Sequence, residues 1–185
     1  MAIKLAETRG FDAVGLREVA EQAGVALGTL YRSFSSKEEI IGAAVRAQTS
    51  RLRRQFDRRP AAGADALERL DDLFARMTRV MVRRPAYARA VLSAVSASHP
   101  DIAGSVLEQD GETTRIIVGA LRGVPPHAVD PDTYSEPEAQ VAFLLRHIWF
   151  ASMVGWAAGL YPAEDVLEHV KTAAALLTRG AGIVV

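Results

Sequence analysis

At 185 residues, 49% of them hydrophobic and none of them cysteine, the chain is long enough to bury about 70% of its unfolded surface, and disulfides, thiolate metal sites and thiol nucleophiles are excluded. Basic and acidic residues balance at 22 each, yet eleven Lys or Arg against seven Asp or Glu leave positions 1–59 at +4 and the remainder at −4; a local basic face binds phosphate even on a neutral molecule. The four histidines stand in no metal-ligand spacing, neither a His-Glu-x-x-His nor a P-loop motif occurs, and no uncharged run reaches membrane-spanning length, so a cytoplasmic protein with no cofactor and no metal is expected.

Apolar residues recur at three- and four-residue spacing and strand-type alternation is nearly absent, which predicts an all-α fold. A first helix over 2–8 turns Ile3 and Leu5 inward and stops at Gly10. A second over 16–23 places Leu16, Val19 and Ala20 on one face before Gly24 ends it. A third covers 27–33. The fourth starts after Ser35 or Ser36, either of which can cap it above Glu38 and Glu39, and continues into RLRRQF. Pro60 and Gly63 then break the pattern. A helix over 64–83 carries Leu67, Leu70, Phe74, Met77 and Met81; Pro85 opens a short helix ending near Ser93, and Pro100 a long one reaching Leu121. Residues 122–138 read as irregular. Helices over 138–160 and 162–179 follow, joined by GLYP, a link short enough to make them antiparallel neighbours. The expected division is a helix-turn-helix head over 1–46 and a helical body over 47–185.

REVAEQAGVALGTLYRSF contains the parts of a helix-turn-helix: Ala20 is small where two helices cross, Gly24 can turn, and Val25 and Leu30 can anchor the second helix. Leu27, Gly28, Thr29, Arg32 and Ser33 remain on its outer side as a surface able to meet base edges. Thr29, Tyr31 and Lys37 carry polar tips suited to phosphate. Plainer roles stay open: Tyr31 as an amphipathic core residue, Lys37 as a solvated charge, Thr29 as ordinary surface.

The segment GFDAVGLREVAEQAGVALGTLYRSFSSKEEIIGAAV, residues 10–45, resembles the DNA-binding domain of the TetR family of bacterial one-component transcriptional regulators. GFDAV, REVAEQAGV, GTLYRSF and SKEEI follow one another in order at fixed spacing. The resemblance implies a homodimer whose two heads bind a palindromic double-stranded operator, with Thr29, Tyr31 and Lys37 on phosphates and Leu27, Gly28, Arg32 and Ser33 facing the groove. The sequence departs from the family where Gly15 and Ala26 replace the small hydroxyl residues that often cap the second and third helices, and where Leu27 replaces a frequently basic residue. The basic arm and extra helical turn that usually precede the counterpart of AIKLAE are missing, so a natural start lying upstream is expected.

Two heads reading one duplex need a separation of about 34 Å or a multiple. The last two helices can set it by pairing with a two-fold mate through Phe143, Leu144, Ile148, Val154, Trp156, Val166, Leu167, Val170, Ala174 and Leu177, the intrachain core being the alternative use of these residues. Phe74, Met77, Met81, Leu92, Val106, Phe143, Trp149, Phe150 and Met153 are candidates to line an apolar effector cavity, with His99, Gln109, Thr113 and His147 orienting the ligand. Methionines and histidines also serve as ordinary core. HIWFASMVGWAAGLYPAEDV is similar to the C-terminal region of the KstR-like subgroup of TetR regulators, mycobacterial and rhodococcal repressors of sterol catabolism. That resemblance implies an acyl-CoA or other lipid-like effector. Arginines such as Arg83, Arg84, Arg89 or Arg146 are candidates to meet its phosphates at a pocket mouth, solvated surface charge being their plainer role.

The chain thus reads as a ligand-responsive DNA-binding repressor that releases its operator on effector binding. An enzyme is disfavoured, because no spacing joins His147 or His99 to Glu108 or Glu112 as an acid-base pair. A ligand-binding helical dimer without operator-specific DNA binding is the alternative, favoured by Gly15, Ala26 and Leu27.

Overall fold

The computed structural model describes residues 2–9, 14–96 and 100–183, and these form helices and turns without a strand. In chain order the described helices are α1 (Ala2–Arg9), α2 (Leu16–Ala23), α3 (Leu27–Ser33), α4 (Lys37–Arg58), α5 (Ala66–Val82), α6 (Pro85–Ser96), α7 (Pro100–Arg122), α8 (Glu136–Ala157) and α9 (Ala163–Gly180). They gather into two compact units, residues 1–48 with 84–109 and residues 49–83 with 110–185. Helices α4 and α7 each contribute to both, whereas α6 belongs wholly to the first.

In the first unit α1 packs on α6 and α2 on α3. Leu5, Val19, Ala20, Leu30, Tyr87 and Val91 are buried. Arg84 stands 2.7 Å from Glu7 while its guanidinium lies 4.8 Å from the Tyr87 ring centroid, so one side chain ties α1 to the start of α6. The fourth helix is capped by Ser36, whose hydroxyl accepts the Glu39 N–H; the Glu39 carboxylate in return takes the Ser35 N–H and hydroxyl. Val25 departs from expectation: it is 41% exposed, because Gly24 turns the chain outward and Val25 contributes its N–H to the Ala20 carbonyl rather than its side chain to a core.

The second unit is built on α5, whose apolar stripe Leu70, Leu73, Phe74 and Met77 is buried with Phe56, Ile116, Ile117, Val141, Leu145 and Val170 in one cluster. Helix α5 starts at Ala66, two residues later than its apolar pattern, because Asp65 accepts the Glu68 N–H as N-cap. Seven residues apart on α5, two arginines cap other helices. Arg69 donates to the carbonyls of Ala120 (2.7 Å) and Leu121 (2.9 Å) at the end of α7; Arg76 donates to those of Arg59 (3.0 Å) and Pro60 (3.4 Å) just past α4, and its guanidinium covers the buried Phe56 ring at 3.8 Å.

Residues 122–138 are more ordered than their composition implies. Two 3-10 turns, Pro126–Ala128 and Pro131–Thr133, lie there, and Arg122 fastens the segment with bonds to Thr133 and a bidentate pair to Glu138 at 2.6 and 2.8 Å. Glu138 also closes a capping box with Ser135, which starts α8 two residues before its expected position. After α8, Gly159 in the left-handed region (φ 77°) reverses the chain. The Tyr161 hydroxyl donates to the Ser152 carbonyl and occupies the space a Cβ on Gly155 would need, which brings the start of α9 close against α8. No helix is long and apolar enough to cross a membrane among the described residues.

Replacing Arg69 by alanine strands two carbonyls of buried residues, so Arg69→Ala is expected to destabilise the fold by about 1–3 kcal/mol, read as a lower urea midpoint at unchanged m-value. The Arg122 guanidinium, helped by the Ser135 N–H and hydroxyl and opposed by burial, holds the Glu138 carboxyl down at about 2 from an ordinary 4.5. A folded-state value below the unfolded one adds stability that is complete above pH 4.5 and is lost as pH falls towards 2. The stability gap between wild type and Glu138→Gln should therefore close across that interval, measured by urea unfolding at stepped pH.

Candidate DNA-reading surface and effector region

The α2–α3 turn is set by Gly24, whose φ of 68° lets its N–H meet the Glu21 carbonyl while the Val25 N–H reaches Ala20. Ala20 and Leu30 are buried between the paired helices, and this fixes which side of α3 is outward. Gly28, Thr29, Tyr31, Arg32 and Ser33 are exposed there, with Leu27 half-buried. Tyr31 is 54% exposed, so its ring is not spent on the core. Arg32 leans over Thr29, donating to its hydroxyl at 3.1 Å, and Ser33 bonds the Thr29 carbonyl. A Cβ on Gly28 would meet nothing within 4 Å, leaving the start of the outer face low and open. Such a surface combines one guanidinium, one phenol and two hydroxyls, the donors that phosphate and base edges accept from. The Lys37 side chain lies outside the described residues.

Neither α2 nor α3 has a side-chain cap: Gly15 and Ala26 hold N-cap backbone geometry and supply no acceptor. Glycine is tolerated at that position far better than alanine, so the two absences differ in weight.

In the second unit Phe74 and Met77 are buried, and Phe74 meets Trp149 with ring centroids 6.4 Å apart. The Trp149 indole donates to the Thr78 hydroxyl at 2.9 Å. Thr78, buried one helical turn after Phe74, escaped the sequence reading; a lone hydroxyl on an apolar stripe one turn from an aromatic was its only signal. Thr113 and Met153 are buried, and Met81 and Phe150 half-buried. Leu92 is buried in the first unit, on α6. Phe143 and His147 are exposed, their rings tilted against each other with centroids 4.0 Å apart and His147 Nδ1 hydrogen-bonded to the Phe143 carbonyl, and Phe143 lines an open surface groove with Glu136, Ala139, Gln140 and Leu144. His99 and the side chains of Val106, Glu108 and Gln109 lie outside the described residues.

A cleft of about 220 Å³ opens between α5 and α9, floored by Leu70, Phe74, Val170 and Ala174 and rimmed by Glu68, Asp71 and Lys171. Of the residues expected to bind ligand, Phe74 alone lines it. Val166, Val170 and Ala174, expected at a dimer face, are buried in this chain's own interior, because that stripe of α9 packs on α5 and α8. The apolar residues left outward on the hairpin are Phe143 (52% exposed), Leu144, Val154, Leu160 and Leu176. Ile148, Trp156 and Leu177 are half-buried.

Arg146 on α8 pairs with Asp110, and burial lowers its pKa; Arg84 is held by Glu7, while Arg83 and Arg89 are exposed. Glu112 faces Arg53 rather than any described histidine. Among the described residues no group of three or more His, Asp or Glu could hold a metal ion.

Residues 1–44 match the model of bacterial regulatory proteins of the tetR family, and residues 63–177 that of the tetracyclin repressor-like C-terminal domain. The chain is 28% identical over 173 residues to the HTH-type transcriptional repressor KstR of Mycobacterium tuberculosis, covering 94% of this chain and 75% of that protein. To KstR of Rhodococcus jostii it is 29% identical over 175 residues, covering 95% and 78%. A TetR transcriptional regulator from Rhodococcus sp. RHA1 has a similar structure, with a TM-score of 0.81 at 27% identity over 95% of this chain and 90% of its own. Thermus thermophilus FadR, a TetR-family repressor in complex with lauroyl-CoA, shares the fold at a TM-score of 0.73 and 22% identity over 97% and 90%.

Supplying the absent cap at position 26 should stabilise the head. Ala26→Ser is expected to add about 1 kcal/mol and Gly15→Ser only a few tenths, compared by thermal unfolding of the two variants at equal concentration.

Proposed function

The chain belongs to the TetR family of bacterial regulatory proteins, and we propose that it acts as a homodimeric, cytoplasmic, ligand-responsive repressor that releases a palindromic operator when a small apolar effector binds. The outward surface of α3 carries this reading: Thr29, Tyr31 and Arg32 stand exposed on a helix whose opposite side is locked to α2. Thr29, Tyr31 and Lys37 serve as phosphate contacts that set register, while Leu27, Gly28, Arg32 and Ser33 face the base edges. The outward stripe Phe143, Leu144 and Val154 of α8, with Leu176 of α9, supplies the apolar face for the second copy.

An acyl-CoA or other lipid-like effector is supported by the apolar cleft between α5 and α9, floored by Leu70, Phe74, Val170 and Ala174, and by likeness to repressors of the KstR type. Release follows from linkage: an effector with higher affinity for a conformation whose heads do not fit both half-sites lowers DNA affinity by the same factor by which DNA lowers its own. The uncapped α2 and α3 favour a second reading, a ligand-binding dimer without operator specificity.

Selection of genomic fragments on the purified protein separates the two. One enriched palindrome, displaced by an acyl thioester such as lauroyl-CoA, is the expected result; thioester binding with no enriched duplex would establish the second reading instead. Tyr31→Phe and Lys37→Ala should weaken all related duplexes alike, the latter with a salt slope smaller by about 1, whereas Arg32→Ala should cost about 1–3 kcal/mol and relax preference at one base pair. A changed sequence preference for Lys37→Ala with none for Arg32→Ala would reverse the assigned roles.

A further inference from the structure

The cleft between α5 and α9 lies wholly within the second unit, and its lining sorts by depth. Leu70, Phe74, Val170 and Ala174 form a floor that is already buried, while Leu67, Leu167 and Ala175 are half-buried and stand as walls. At about 220 Å³ it is smaller than the roughly 300–1,000 Å³ of sites that enclose drug-sized ligands, and at roughly 30 Å³ per water-sized group it has room for about seven or eight methylenes. Three charged side chains stand at its rim, and they differ in what they already hold. Glu68 is spent at the start of α5, where its carboxylate accepts the Ala64 N–H at 2.8 Å. Asp71 and Lys171 are exposed, and neither side chain makes an ion pair or hydrogen bond with a described residue.

A lysine beside apolar surface lays its stem along that surface and keeps its ammonium at the edge of the water. There it meets the polar head of whatever fills the cleft. An ammonium wants an acceptor, and one carbonyl satisfies it; a cluster of phosphates does not belong beside Asp71 and Glu68, whose charges oppose it. Resting on the lipid-like effector reading above, we propose that this cleft is an acyl slot of limited length, taking a medium-chain acyl group of about eight carbons while Lys171 donates to the thioester carbonyl at its mouth. The phosphates of a CoA then stay in solvent at the far end of the pantetheine arm. Each methylene that leaves water tightens binding by up to about fourfold, so affinity climbs with chain length only until the slot is full. Further carbons remain in water and add nothing. Selectivity is thus set by volume at one end of the ligand and by a single charged donor at the other.

The test is isothermal titration calorimetry of butyryl-, octanoyl- and lauroyl-CoA into the full chain and into Ala175→Leu, Ala175→Val, Lys171→Met and Lys171→Arg, each checked for folding by circular dichroism. Octanoyl-CoA should bind about tenfold or more tightly than butyryl-CoA, and lauroyl-CoA no more tightly than octanoyl-CoA. Ala175→Leu should weaken octanoyl-CoA about tenfold and leave butyryl-CoA near the wild-type value, with Ala175→Val between. Lys171→Met should weaken all three by one common factor of about five, part of it restored in Lys171→Arg. An affinity that climbs again by about tenfold at lauroyl-CoA and is indifferent to both Ala175 variants would overturn the slot while leaving a lipid-like effector in place. Wild-type affinities in Lys171→Met would overturn the lysine as the donor. A chain that binds none of the three thioesters would overturn the effector class and the slot with it, and leave operator selection to be judged by its own experiment.

Discussion

Two helix ends meet one helix face in this protein, and much of the second unit follows from that. Helix termini leave carbonyls without partners, and a terminus packed into a core needs a donor brought to it. Helix α5 brings Arg69 to the end of α7 and, seven residues on and hence on the same side of the helix, Arg76 to the exposed chain just past α4. The helices so gripped are the two that continue into the other unit. A guanidinium suits the task because its planar fork spans adjacent carbonyls, as Arg69 does at Ala120 and Leu121, and because its flat face stacks on an aromatic, as Arg76 does on Phe56. The apolar stripe of α5 then fills the space between, with Leu73 and Phe74 almost wholly inaccessible.

Polar organisation continues along the connection from α7 to α8. A proline-rich stretch has few backbone donors with which to order itself, and the structure substitutes side chains: Arg122 spans the segment to Thr133 and Glu138, Asp130 turns back on Asp132, and Asp57 of α4 takes the His127 amide. The second unit is thus pinned by charged groups at its rim and by apolar packing within. The helix-turn-helix pair is organised differently. Its helices are short, its glycine turn is held by backbone bonds, and its outward side chains bond mainly to one another.

The sequence was most legible where local rules decide. Gly24, Pro85, Pro100 and the serines before α4 mark helix ends within a few residues, because capping and left-handed glycine act over three or four positions. Periodicity also identified the stripe on α9, yet assigned it to the wrong neighbour: a spacing of three and four says that Val166, Val170 and Ala174 share a face, not whether α5 or another copy covers it. The exposure of Phe143 and His147 was not legible for the same reason, since α8 is apolar nearly all round and its outward side is not distinguishable by composition. Arg69 and Arg76 could not be singled out among 22 basic residues, because their acceptors lie up to 52 positions away in the chain. The residues proposed to face DNA were picked from the motif, whereas their exposure, and the leaning of Arg32 on Thr29, came only from the fold.

The bare N-termini of α2 and α3 also bear on local opening. Without a hydroxyl or carboxylate to hold it, the first turn of α3 opens at a cost lower by about 1 kcal/mol than a capped one, and that of α2 by a few tenths. Local opening of the first turn of α3 would then displace Thr29 and Arg32 together, since the Arg32 guanidinium is bonded to the Thr29 hydroxyl.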